Sequence, residues 1–387
     1  MSERINLDYS AGTALLPEVQ QTMTAALAET GNPSSVHQAG QRAKRALEQA
    51  RKQVAALINA KPEEISFTSC GTESNNWALR GLLAGNKRKG SHIIISAIEH
   101  PSISLVARRL EVDSGAKVTI LPVDRDGVVS PSDLKAVLTP ETVLVSIMLA
   151  NGEVGTIEPI KELAAISHEH GALFHTDAIA AVGHVPVDVK TLGVDALSLA
   201  ADQFYGPRGA AALFVREGVR ILPLLEGGGQ ETGARSGTEN VLAMAGMGAA
   251  AEIAKRDLSE RISRLSALRN RLRDGLQERI EHVCLNGSWA SRLPHNLHIC
   301  VEGVSSESLV LGLDQAGIAA GLGSACNSKA MRPSHVLKAM GLTDEQAKGA
   351  LVLTVGATTT DEEIDRALEI IPTVVQRLRN VTALTSR

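Results

Sequence analysis

Aromatic side chains are nearly absent: phenylalanine, tyrosine and tryptophan together supply 2% of 387 residues. Platforms for stacking on bases or sugars are therefore scarce, and the core must be built from Ala, Leu, Val and Ile. Cysteine is equally sparse. Cys70, Cys284, Cys300 and Cys326 lie far apart with no CxxC pair, so neither a disulfide framework nor a local zinc site is signalled. No apolar run approaches the ~20 residues that span a bilayer. The opening Met1-Ser2-Glu3-Arg4-Ile5-Asn6 lacks the charged-then-apolar plan of a signal peptide. No membrane partner and a cytoplasmic location are expected. A basic excess is missing too: 39 Lys and Arg against 43 Asp and Glu leave a net charge of −4, which argues against nucleic acid as a partner.

What the chain does have is length and alternation. At this size one hydrophobic core usually stops growing, so a large and a small domain are expected. Runs rich in β-branched residues at 65–69, 92–96, 118–123, 142–148, 172–175, 196–200 and 211–215 read as strands. Segments 35–60 and 159–170 between them have helical spacing. That alternation predicts an α/β unit over 15–255 with a mainly parallel seven-stranded sheet covered on both faces. A long charged helix over 257–280, a strand at 297–301 and helices at 306–316 and 361–379 predict a smaller α+β unit. It would comprise 1–14 and 256–387. Ligands of open α/β sheets bind outside the carboxyl ends of the strands. The polar groups expected there are Thr72 to Asn75, Glu99 and His100, Asn151, Asp177, and Asp202 and Gln203.

Several segments, in this order, carry a resemblance: GNPSSVH at 31–37, FTSCGTESNN at 67–76, EHPS at 99–102, HTDA at 175–178 and YGPRGAAALFVR at 205–216. GGGQETGARSGTEN at 227–240, GSACNS at 323–328, PSHVL at 333–337 and TTDEEIDRAL at 359–368 follow. Each alone is weak. In this order the chain resembles the NifS/IscS-type cysteine desulfurases, which have the class V aminotransferase architecture, fold type I of the enzymes that use pyridoxal phosphate (PLP). The resemblance implies roles for residues still present: Asp177 to pair with the pyridinium nitrogen, His100 to stack on the ring, Thr72 to hold the phosphate. Thr238 would reach the phosphate of a neighbouring subunit, which implies a homodimer.

Other positions depart from the pattern. Gln203 stands where the resemblance implies the PLP lysine, and an amide nitrogen cannot form a Schiff base. Ala200 and Asp202 replace a phosphate-contacting serine and its histidine neighbour, and Ala180 and Gly152 replace two more polar groups. Val352 and Ala357 stand where arginines are implied, the first of them the clamp for the substrate carboxylate. Cys326, by contrast, occupies the loop position of the family's persulfide-forming nucleophile, and a thiolate can transfer sulfur or ligate metal without an electron sink.

Blander readings apply to several of these residues. Asp177 can simply satisfy backbone donors, His100 can be a turn histidine, and Gly227-Gly228-Gly229 can be a flexible loop. Cys70 reads as a small buried hydrophobe, Cys284 and Cys300 as packing residues. The expectation is a desulfurase-like protein acting through Cys326 in sulfur transfer or iron–sulfur cluster assembly. An IscU-type scaffold would be the partner, sharing an iron–sulfur cluster with Cys326 as one metal ligand. One alternative is a PLP-dependent desulfurase whose cofactor is held without a covalent link. The other is a non-catalytic dimer that binds a different metabolite.

Overall fold

The computed structural model describes residues 4–322 and 333–385. In chain order the strands are β1 (Ile5–Leu7), β2 (Ile65–Thr68), β3 (His92–Ser96), β4 (Lys117–Leu121), β5 (Thr142–Ser146) and β6 (Leu173–Asp177). They continue as β7 (Ala196–Ala200), β8 (Ala211–Val215), β9 (Val283–Asn286), β10 (Asn296–Val301), β11 (Ile318–Ala320) and β12 (Ala350–Thr354). Seven of them form one sheet in the order β2-β8-β7-β6-β5-β3-β4. β8 runs antiparallel to both neighbours, and the other pairings are parallel. β3, β5 and β7 are buried along their whole length, as strands with helices on both faces must be. The expected α/β architecture is present.

Because β3, β5, β6 and β7 are parallel, the chain leaves each of them at the same end of the sheet. Residues 97–100, 147–151, 178–180 and 201–203 are thereby gathered at one edge. The helices Gly71–Gly85 and Pro101–Ser114 start at this edge too, with their free backbone N–H groups turned to it.

The second sheet is antiparallel, β12-β10-β9, and β1 pairs with β11 beside it through the bridges Asp8–Thr354 and Gly321–Val352. Ile5 and Leu7 of the amino-terminal arm join a core with Leu265, Leu272, Ile299, Leu353 and Ile371. The connection to the large sheet differs from expectation. Instead of a helix confined to 257–280, one helix runs from Val241 to Arg279. No proline interrupts it, and its Ala-, Gly- and Met-rich first half packs into the large core while its amphipathic second half serves the other. A Cβ at Gly248 would lie 2.6 Å from Ala50 Cα, so the helix crosses Gln38–Leu57 at a distance only glycine permits.

Candidate functional site

Asp177 ends β6 and is 5% exposed. Its Oδ2 accepts a hydrogen bond from Asn75 Nδ2 at 2.7 Å and its Oδ1 one from Ile179 N at 3.0 Å. Asn75 sits in the helix Gly71–Gly85, and its Nδ2 also donates to Ser102 Oγ at 2.8 Å. Ser102 in turn lies against His100, its backbone N–H donating to Nδ1 at 3.1 Å and its hydroxyl 2.7 Å from the same nitrogen. A nitrogen that accepts from a backbone N–H carries no proton, so the serine hydroxyl donates to it as well. The result is one chain of bonds, His100–Ser102–Asn75–Asp177, that ties two helix starts to the end of β6. Burial raises the Asp177 pKa against the bonds from Ile179 and Asn75 and the nearby His100.

Glu99 lies beneath this chain. Its Oε1 accepts from Ser96 Oγ at 2.6 Å and from Met148 N at 2.9 Å, and Oε2 has no partner. Burial pushes its pKa up to about 8 against the bonds from Ser96 and Met148, with Asp177 and Glu158 adding to the rise, which favours the neutral acid.

The floor next to this wall is built otherwise. After Ala200 the chain makes a 3-10 turn, Ala201–Gln203. Gln203 Nε2 donates to Ser10 O of the amino-terminal arm at 3.5 Å, and the Gln203 carbonyl accepts from His184 Nε2 at 2.8 Å. Thr13 clamps the Asp202 carbonyl with its N–H and its hydroxyl, each at 2.8 Å. The Asp202 carboxyl is pushed up by burial, with Arg208 opposing. At the start of the helix Gly71–Gly85 a Cβ on Gly71 would lie 2.1 Å from Ile179 Cδ1 and 3.7 Å from Ala200 Cβ. The space beside Gly71 is therefore filled by apolar carbon, while Cys70 and Thr72 on either side of it are exposed.

Thr72 is exposed in the first turn of that helix, and His100 is exposed at the N-cap of the helix Pro101–Ser114. Thr238 is exposed in the loop before the helix Val241–Arg279. That loop is pinned by Glu231, which takes both arms of the Arg51 guanidinium at 2.6 and 2.9 Å and the Phe67 N–H at 2.9 Å. Arg235 then pairs with Glu73 at 2.7 Å, fixing the loop to the helix start that carries Thr72. On the opposite side Val352 is 2% exposed on β12, facing Gly321 and opposite His298 in register. The Ala357 N–H donates to Tyr205 Oη at 2.8 Å, which closes that position into backbone contacts.

Cys326 lies outside the described residues. The chain on either side is tied to the site: Gly321 exchanges two backbone bonds of 3.0 Å with Val352, and His335 Nε2 donates to Glu99 O at 3.0 Å. Among the described residues no group of three or more His, Cys, Asp or Glu is placed to hold a metal. Nor is any described helix long and apolar enough to cross a membrane.

Asp177 and His100 are thus brought together, with Thr72 on a helix shared with Asn75. Gln203 faces the arm on the neighbouring strand end. Two cysteine expectations are corrected: Cys70 is exposed at the N-cap of its helix, and Cys284 is exposed because it sits on the outer strand β9. Cys300 is buried as expected. Ile179, which fills the helix start, gave no signal as a lone apolar residue after HTDA. Asn75 and Ser102 stood within polar clusters whose partners are distant in sequence.

The chain matches the aminotransferase class-V family over residues 5–367. It is 46% identical to the cysteine desulfurase IscS of Clostridium botulinum over 99% of this chain and 97% of that one. With the cysteine desulfurase IscS of Methanosarcina thermophila it shares 46% over 100% of this chain and 95% of the other. Among solved structures, a NifS-like protein superposes with a TM-score of 0.91 at 34% identity, covering 97% of this chain and 100% of the other.

Proposed function

The chain belongs to the class V aminotransferase family, among the IscS and NifS-like cysteine desulfurases, and from that premise we propose that it serves sulfur transfer and iron–sulfur cluster assembly through Cys326, without covalent PLP. Cysteine desulfurases are PLP-dependent enzymes. The residues present here do not fit that cofactor. The observation that carries this reading is Gln203: at the position where the resemblance implies a lysine there is no amine, and the amide is engaged with Ser10 O beneath the arm.

Further support comes from the surroundings. Ile179 and Ala200 put carbon beside Gly71 at the helix start, and Asp202 supplies a carboxyl where the resemblance implies a histidine. Buried Val352 offers no cation to a substrate carboxylate. The retained Asp177 does not argue otherwise, since Asn75 and the Ile179 N–H already satisfy it.

A thiolate at Cys326 remains a competent nucleophile and a soft metal ligand. In this reading its thiolate attacks the outer sulfur of a donor's persulfide, breaking that S–S bond and releasing the donor thiolate, or it lends one ligand to a cluster held mainly by an IscU-type scaffold. The protein acts as a cytoplasmic homodimer, with Thr238 of one subunit reaching the site of the other. The test is anaerobic co-purification with such a scaffold, followed by iron and sulfide analysis of wild type and Cys326→Ser. The variant is expected to lose at least half of the bound iron. Equal content in the two would remove Cys326 as a ligand.

A further inference from the structure

Two of the cysteines that the proposed function does not use face each other across a strand pair. In the β9–β10 register Cys284 lies directly opposite Cys300, with Leu285 opposite Ile299 and Asn286 opposite His298. Cross-strand partners share a face of the sheet, and here a bond confirms it. Asn286 Nδ2 reaches Cys300 Sγ at 3.2 Å, so Cys300 points to the face of residues 284 and 286 on the neighbouring strand. Just beyond the strands Glu302 N donates to His282 O, which makes 302–282 a hydrogen-bonded pair and, two residues along, 300–284 another. Such pairs place Cα atoms about 5.5 Å apart, inside the range of about 4.4–6.8 Å that disulfides span.

The two thiols differ in access. Cys284 is exposed on the outer strand, whereas Cys300 is 3% exposed in a cluster with Ile98, Met148, Val336 and Leu337. Val336 and Leu337 belong to the helix His335–Ala339, which lies just beyond the Cys326 segment.

We propose that Cys284 and Cys300 form a reversible cross-strand dithiol–disulfide couple, oxidised by small disulfides. The Cys284 thiol loses its proton to solvent and its thiolate attacks the small disulfide, forming a mixed disulfide and expelling one thiolate that takes up a proton. Cys300 then loses its proton and attacks Cys284 Sγ, which closes the protein disulfide and releases the second small thiol. Two protein thiols are oxidised by two electrons while one small disulfide is reduced to two thiols. Cβ atoms across a strand pair sit about 4.5–5.5 Å apart and must close to about 3.8 Å, so the bond forms under strain and is readily reduced. Burial pushes the Cys300 thiol up to about 11, with the bond from Asn286 opposing, so the second step is the slow one and quickens as pH rises.

The test uses the native full-length protein, incubated with excess oxidised glutathione, alkylated and digested with trypsin without reduction. Cleavage after Arg292 separates the two cysteines. The expected product is peptide 280–292 linked to peptide 293–329, with fragment ions placing the bond at Cys300. It should persist in Cys326→Ser and revert with dithiothreitol. Its rate of formation should rise about tenfold from pH 7 to pH 8. Cys300→Ser should stop at glutathione on Cys284. The proposal is overturned if wild type also stops there with Cys300 free, if the bond goes to Cys326, or if the linked peptide forms only after denaturation. Because the readout is a covalent bond that involves neither Gln203 nor Cys326, its failure leaves the proposed function standing, and the converse holds.

Discussion

The wall on β6 and the floor after β7 are neighbours at one end of the large sheet, but the protein closes them by different means. The wall is a chain of short hydrogen bonds, His100–Ser102–Asn75–Asp177, in which the Asn75 amide nitrogen serves both neighbours while its Oδ1 is buried without a partner. On the floor, Ile179 and Ala200 carbon lies against the helix start, Thr13 clamps the Asp202 carbonyl, and Gln203 is held through one long bond of 3.5 Å to the amino-terminal arm. Polar residues persist where the protein itself needs them to join secondary elements. At several positions where the resemblance implies polar groups for a ligand, alanine, glycine, valine and glutamine stand instead, while Thr72 and Thr238 remain, both exposed. A retained catalytic-looking carboxylate is thus weak evidence for a cofactor when protein donors already bond each of its oxygens.

That contrast can be broken in order of effect. Asn75→Leu should cost about 3 kcal/mol of stability in urea denaturation, because it leaves a buried Asp177 oxygen and Ser102 without their donor. A loss under about 1 kcal/mol would show that the wall is not structural.

The wall's acidity is the next lever. Glu99 has a folded pKa of about 8, above its unfolded value, so the folded state binds the extra proton. Its contribution to stability is complete below about pH 4.5 and declines as pH rises to about 8, at up to about 1.4 kcal/mol per pH unit. Glu99→Gln should flatten that decline between pH 6 and 8. Buried His175 acts on the other flank. Its folded pKa of about 3 lies below its unfolded value, so its contribution is complete above about pH 6.5 and is lost as pH falls toward 3.

The floor can be probed by restoring what it lacks. Gln203→Lys alone should trap little PLP on residue 203 after borohydride reduction. Adding Ile179→Ala, which clears the helix start, should increase the trapped adduct about tenfold, or about 1.4 kcal/mol. If Gln203→Lys alone loads fully, the floor is not obstructed. The smallest effect is expected for Gln203→Ala, under about 0.5 kcal/mol in the same urea assay used for Asn75→Leu.

The sheet was readable because strands buried on both faces leave unbroken apolar runs. β3, β7 and β8 match the runs at 92–96, 196–200 and 211–215 residue for residue. The long helix was half missed because the Ala- and Gly-rich stretch before Asp257 is largely buried and carries no charged residue until Glu252, so it shows little amphipathic contrast. Cys70 and Cys284 were misjudged for a related reason: strand and cap positions set exposure, and composition does not report which strand is outermost. Within the site, Asp177, His100 and Gln203 were legible as residues. Their relations were not, since the bond from Asn75 to Asp177 spans 102 positions.

The central claim, that this desulfurase homologue works without covalent PLP, is tested most directly by its cofactor content. Protein purified from cells grown with ample pyridoxine, denatured in acid and analysed by mass spectrometry, should release well under a tenth of an equivalent of PLP. One equivalent per chain would contradict the account.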